Sequence, residues 1–219
     1  MVNFAVQREN MVESQVRPAD IVDRRIIRAM LETPRELFVP EDVRPLAYMD
    51  RDLPISETQE RFVMAPGVHA KLIQFLELED HAVVLDVGCG TGYGSAIMAR
   101  LAQTVVGLEC DPEIAERATR TLSGLGVDNV VVVVGSLTAG WPGEGPYDAI
   151  LLNGSVPEVP SVLLEQLKDG GRLAAIEAEG SLSRARIWQR SGKNVSARTV
   201  FDAAARPLPG FEREPQFVF

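Results

Sequence analysis

The sequence predicts an α/β fold, doubly wound around a mostly parallel sheet, and three observations carry that prediction. Apolar runs of strand length recur at residues 83–87, 104–108, 129–135, 147–153 and 172–178. Stretches with apolar residues at helical spacing lie between them, as with Ile97, Met98 and Leu101, or residues 112–122. Five consecutive valines, Val130–Val134, show no alternation and read as a parallel strand buried on both faces. Strands alternating with helices at this spacing give a sheet covered on both sides.

Taken in order, residues 1–19 are polar and mixed, and Pro18 closes them. From Asp20, read as an N-cap, the residues Ile21, Val22, Ile26, Ile27, Met30 and Leu31 recur at helical spacing until Pro34. Residues 34–55 mix prolines and charges with large apolar side chains. They read as an ordered irregular segment, either a cap over a ligand site or a plain connector. After Pro66, the residues Val68, Leu72, Ile73 and Leu76 mark a helix leading to the 83–87 strand. His69 lies in that helix and reads as a solvated or hydrogen-bonded structural residue, and His81 as a turn residue before the strand.

Residues 162–167 read as a short helix and Gly170-Gly171 as a turn into the fifth strand. Short alternating runs at 185–188, 195–200 and 216–219 then read as antiparallel strands closing one sheet edge. The chain therefore divides into an N-terminal helical and cap extension (1–80), a core (81–180) and closing strands (181–219) of a single domain.

Composition narrows the function classes. At 219 residues and 46% hydrophobic, the chain suffices for one compact domain. Its 22 Lys and Arg against 31 Asp and Glu give a net charge of -9, which disfavours a nucleic-acid partner. Two cysteines, Cys89 and Cys110, supply neither a disulfide framework nor a metal cluster, so no metal site is expected. The absence of a long apolar run leads to the expectation of a cytoplasmic protein with no membrane partner.

The chemistry concentrates after the first core strand, in Asp86-Val87-Gly88-Cys89-Gly90-Thr91-Gly92-Tyr93-Gly94. Counting from Gly88 and Gly90, the third glycine of a dinucleotide fingerprint falls on Tyr93; counting from Gly90 and Gly92 it falls on Ser95. That fingerprint is absent. The remaining D-x-G-x-G-x-G pattern, with an acid before the loop, suits the cationic cofactor S-adenosylmethionine (SAM). Glu109 follows Asp86 by 23 residues and ends the second core strand, where a carboxylate accepts both ribose hydroxyls. The alternative role for Glu109 is capping the helix that begins at Asp111-Pro112.

Several blocks resemble the protein-L-isoaspartate O-methyltransferase family. They are Ala29-Met30 with Pro34-Arg35 and Phe38-Val39-Pro40-Glu41; Ala47-Tyr48 with Asp50 and Leu53-Pro54-Ile55; the glycine loop; Gly140-Trp141-Pro142; Pro146-Tyr147-Asp148; Val156-Pro157-Glu158-Val159-Pro160; and Gln166-Leu167-Lys168 before Gly170-Gly171-Arg172-Leu173. The resemblance implies a seven-stranded class I methyltransferase fold, Rossmann-like. It also implies SAM as cofactor, S-adenosylhomocysteine (SAH) as product, and isoaspartyl residues of damaged proteins as substrate. By this resemblance Asp86, Gly88, Gly90 and Gly92 hold the methionine part, Glu109 the ribose, and Cys110 and Leu137 the faces of the adenine, with Ser136 near its edge. Cys89, Tyr93, Gly135 and Asn153 are further cofactor-binding candidates. Val63, Met64, Ala65 and Pro66, with Gly154, Ser155 and Val156, wall the acceptor site.

Two departures stand out. The family's active-site serine falls on Met64, which has no hydroxyl, and its adenine-binding aspartate falls on Ser136. No catalytic residue is therefore assigned; Ser56 and Thr58 are the nearby hydroxyls. A different methyl acceptor, or a SAM-binding protein without catalysis, are the competing readings. A monomer and a homodimer both fit.

Overall fold

The computed structural model describes residues 3–56, 61–179 and 182–212. A seven-stranded sheet runs in the order β5-β4-β3-β6-β7-β8-β9. Its strands are β3 (Val83–Val87), β4 (Thr104–Glu109), β5 (Val130–Val134), β6 (Tyr147–Val156), β7 (Leu167–Glu179), β8 (Leu182–Ser191) and β9 (Asn194–Asp202). The pairs from β5 through β7 are parallel, and β7, β8 and β9 are antiparallel. A two-stranded ribbon, β1 (Leu53–Pro54) with β2 (Phe62–Val63), stands apart from it.

Strand β3 lies between β4 and β6, so successive strands leave it in opposite directions. That reversal opens a crevice at the carboxyl ends of β3 and β6, the usual ligand position in open α/β sheets. Alternation along β3 divides the core: Val84 joins the cluster containing Met30, Leu72 and Ile97, and Leu85 and Val87 join one with Leu163, Leu173 and Leu208. The first cluster is supplied by α1 (Phe4–Met11), α2 (Arg24–Glu32), α3 (Pro66–Leu76), α4 (Tyr93–Met98) and α5 (Pro112–Gly124). The second draws on α6 (Ser161–Glu165) and the segment after β9.

Residues 4–19 are helical, running from α1 through a π turn and a 3-10 turn, and they bury Met11, Val12 and Val16 against α2 and α3. Three local expectations are corrected. Asp23, not Asp20, caps α2 by accepting the Arg25 N–H at 2.8 Å; Asp20 takes a left-handed φ of 61° one turn earlier. Helix α6 ends at Glu165, and Leu167 already belongs to β7. The five valines of β5 form the parallel strand expected but not a buried one, because β5 is an edge: Val131 and Val134 are 54% and 48% exposed. The antiparallel runs at 185–188 and 195–200 appear as β8 and β9, while 216–219 lies outside the described residues.

Candidate active site

The glycine loop follows β3 directly. Gly88, Gly90 and Gly92 take φ values of 71°, 58° and 91°, in the left-handed region that side chains resist. Space is as restrictive as backbone. A Cβ on Gly88 would lie 2.6 Å from Leu208 Cδ2, and one on Gly90 would lie 2.6 Å from Ile55 Cδ1. Cys89 is buried with its Sγ turned toward the Gly107 backbone, so burial raises its thiol well above the usual range.

Asp86 is fully buried on β3. Its carboxylate accepts from Ser95 Oγ at 2.5 Å and from the Asn153 side-chain amide of β6. Burial pushes its pKa up to about 7, against the lowering effect of those two hydrogen bonds. Asn153 is thereby committed to Asp86 rather than turned over the loop.

Glu109 ends β4 beside the loop, with its side chain completely buried. It does not cap α5, since Asp111 accepts the Glu113 and Ile114 N–H groups at 2.8 and 3.3 Å. Its two oxygens instead meet a guanidinium. Arg61 Nε donates to Oε1 at 3.2 Å and Nη2 to Oε2 at 2.7 Å, and Nη2 also donates to the Gly88 carbonyl at 2.9 Å. The Gly90 N–H adds a bond to Oε2 at 2.8 Å and the Cys110 N–H one to Oε1 at 2.9 Å. Burial alone would raise the Glu109 pKa, but Arg61 and these amides hold it below the usual carboxylate range. Cys110 is pushed up to about 11 by burial and by the Glu109 charge.

Opposite the loop, Val63 to Pro66 run from β2 into α3, and Gly154 to Val156 end β6. A strap at 205–208 joins them: Ser155 N–H donates to the Arg206 carbonyl and Leu208 N–H to the Ser155 carbonyl, each at 2.9 Å. Asp52 clasps both sides, accepting the Ala65 N–H at 2.8 Å and the Arg206 N–H at 3.0 Å. Met64 is 4% exposed, and its carbonyl accepts from Arg35 Nη2 at 2.8 Å. Arg61, Phe62, Met64, Asn153 and Arg206 line a narrow cleft here.

The structure thus brings Asp86, Gly88, Gly90, Glu109, Leu137, Asn153, Met64 and Gly154 to one crevice. Tyr93 points elsewhere, into the N-terminal cap, 5.5 Å from the Phe38 ring and beneath the Arg35 guanidinium at 4.7 Å. Ser136 is exposed and bonds to Thr138 at 2.9 Å. Ser56 follows β1, and Thr58 lies outside the described residues. His81 is an exposed turn residue, as expected. His69 is neither solvated nor hydrogen-bonded: it is 1% exposed, and both ring nitrogens lack a hydrogen-bond partner among the described residues. Burial, helped by Arg35, lowers its pKa to about 3, so it is neutral. Sequence reading missed Arg61, Asp52 and Leu208, none of which belongs to a motif spaced from the glycine loop, and gave Arg35 no role of its own.

The sequence profile of the protein-L-isoaspartate (D-aspartate) O-methyltransferases matches residues 6–204. The chain belongs to this family. A curated relative, protein-L-isoaspartate O-methyltransferase 1 of Syntrophobacter fumaroxidans, is 43% identical over 173 residues, covering 79% of this chain and 80% of the relative. A solved protein-L-isoaspartate O-methyltransferase superposes with a TM-score of 0.81 at 28% identity, over 93% of this chain and 66% of that one. A second structure, a putative member from Plasmodium falciparum solved with SAH, superposes with a TM-score of 0.75 at 23% identity, over 94% and 97% of the two chains. Family membership carries the enzyme class: a SAM-dependent O-methyltransferase acting on L-isoaspartyl residues. The class I fold with its seven-stranded mixed sheet agrees with it.

The residues present fit that cofactor. Leu137 is an apolar wall and Glu109 is a buried carboxylate suited to two hydroxyls, whereas the space beside Gly88 and Gly90 is taken by Leu208 and Ile55. Ribose hydroxyls and the Arg61 guanidinium compete for the same two oxygens.

Proposed function

We propose that this chain methylates the free carboxylate of L-isoaspartyl residues in proteins and peptides, at the crevice between the glycine loop and the 205–208 strap. One observation supports this reading above others: residues 63–66, 154–156 and the strap, distant in sequence, converge opposite the glycine loop and Glu109. When bound, SAM supplies the methyl group, whose bond to sulfur breaks as the bond to a carboxylate oxygen forms, leaving SAH.

The chain's own residues bind and orient. A carboxylate is ionised at neutral pH, so no general base is needed, and rate depends on holding the oxygen in line with the methyl group. The glycine loop takes the methionine part with Leu208 and Ile55 displaced from Gly88 and Gly90, Glu109 takes the ribose hydroxyls, and Leu137 packs on the adenine. Asp52 ties Ala65 to the strap and so fixes the width of the acceptor opening. Met64 excludes water but donates no hydrogen bond, a loss of about 1 to 3 kcal/mol relative to a hydroxyl at that position. The protein acts in the cytoplasm, and its partners are damaged proteins rather than nucleic acid. Among the described residues no helix is long and apolar enough to cross a membrane.

The test is incubation with methyl-labelled SAM and an isoaspartyl peptide, with the normal aspartyl peptide as control. A base-labile ester on the first peptide alone is expected. SAH binding without ester refutes the proposed acceptor and leaves a SAM enzyme with another substrate.

A further inference from the structure

Arg61 is the cation that the glycine-loop pattern does not account for. Its side chain is 6% exposed and its fork is spent on Glu109 and the Gly88 carbonyl. The same side chain lines the acceptor cleft with Phe62, Met64, Asn153 and Arg206. Asp52, the carboxylate that lines this cleft, already accepts two backbone N–H groups. Arg206 stacks its guanidinium on the Phe62 ring at 5.0 Å. Arg61 therefore sits on the boundary between the position for ribose and the position for the acceptor.

Charge decides where Arg61 goes when ribose hydroxyls take Glu109. A guanidinium left buried without a counter-charge is costly, so Arg61 must find another anion or leave the site. The acceptor of the proposed reaction is itself a carboxylate, the group whose planar oxygens match a guanidinium fork. Met64 offers that carboxylate nothing, and Arg61 precedes Met64 by three residues, immediately before β2.

We propose that Arg61 is a positioning residue with two carboxylate partners. It closes the cofactor site on Glu109 in the free chain, and it holds the acceptor carboxylate once ribose has displaced it. This rests on the isoaspartyl reading. Cofactor then binds first, and each ligand strengthens the other, because each stabilises the released position of one side chain.

The experiment is calorimetric titration of the full chain and of Arg61→Gln and Arg61→Lys variants. SAH is titrated with and without an isoaspartyl peptide, and the peptide with and without saturating SAH. In the natural chain SAH is expected to strengthen peptide binding at least tenfold. Arg61→Gln is expected to bind SAH alone at least tenfold more tightly, because Glu109 is free. It is also expected to bind the peptide to the SAH complex at least tenfold more weakly, with the coupling lost. Arg61→Lys, charged but without the fork, falls between on both measures.

Folded Arg61→Gln, checked by circular dichroism, that binds SAH no more tightly than the natural chain overturns the closure. If Arg61→Gln does not fold, Arg61→Lys with SAH affinity no tighter than the natural chain does the same. Unchanged peptide affinity in the SAH complex overturns the acceptor role. A natural chain that binds SAH yet neither binds nor esterifies the peptide refutes the isoaspartyl reading and the acceptor role together. The SAH comparison between the natural chain and the variants then still upholds or refutes the closure.

Discussion

The two halves of the crevice are built in opposite ways. The cofactor side comes from one continuous strand, loop and helix with the next strand beside it, from Val83 through Glu109. The acceptor side is assembled from the β2 segment, the end of β6 and a strap beyond β9, held together by Asp52 and Ser155. The first half is fixed by backbone geometry, where glycine alone tolerates the dihedrals. The second is fixed by side chains reaching across the fold, with the buried Met64 on its wall.

The contrast is sharpest where the halves meet, so the largest effect is expected at Glu109. Glu109→Gln strands the Arg61 charge and removes the ribose acceptor. Urea denaturation should show a loss of about 3 to 5 kcal/mol, and the thermal shift with SAH should disappear. Retention of both would break this division of the crevice.

Gly90→Ala tests the backbone half. Its φ of 58° and the Ile55 Cδ1 atom 2.6 Å from the new Cβ together predict a loss of about 1 to 3 kcal/mol. Weakened SAH binding should accompany that loss in the same denaturation series. Met64→Ser tests the side-chain half. A hydroxyl placed there should raise kcat/KM on an isoaspartyl peptide about tenfold or more, with SAH affinity unchanged. A gain confined to the acceptor would sharpen the comparison, whereas a change in SAH affinity would blur it.

Two buried groups beside the crevice give opposed pH effects. Asp86 is raised to about 7 by burial, so its folded form keeps a proton that the unfolded chain has lost above its ordinary 3.8. Its contribution, taken as the difference from Asp86→Asn, should fall as pH rises from about 4 to 7 and stay level above. His69 is lowered to about 3 from 6.5, so the unfolded chain binds the proton first. Its contribution, taken as the difference from His69→Gln, should be full above 6.5 and fall as pH drops toward 3. Stability curves at closely spaced pH values measure both, and slopes of the same sign would contradict the assignment.

Much of the fold was legible because its signals are local. The apolar runs gave the strands, the glycine spacing excluded a dinucleotide site, and Asp111 beside Pro112 marked the start of α5. Other features were illegible for particular reasons. Val130–Val134 reads the same whether a strand lies at the centre or the edge, and only its neighbours decide that. Residues 4–19 mix charged and apolar side chains, and which of them are buried depends on α2 and α3 receiving Met11, Val12 and Val16. His69 carries no mark of having two unpartnered nitrogens, since that depends on Tyr93 and Arg35 arriving beside it.

The sequence by itself determined the sheet, the glycine loop and the cofactor class. Each of these rests on residues within a few positions of one another, where chain geometry links pattern to structure. Only the tertiary structure decided that Glu109 is held by Arg61, that Leu208 packs on Gly88, and that Asp52 clasps both walls of the acceptor opening. Those contacts join residues far apart along the chain, and no spacing rule encodes them. They exist because burial leaves a charge or a large side chain one place to go.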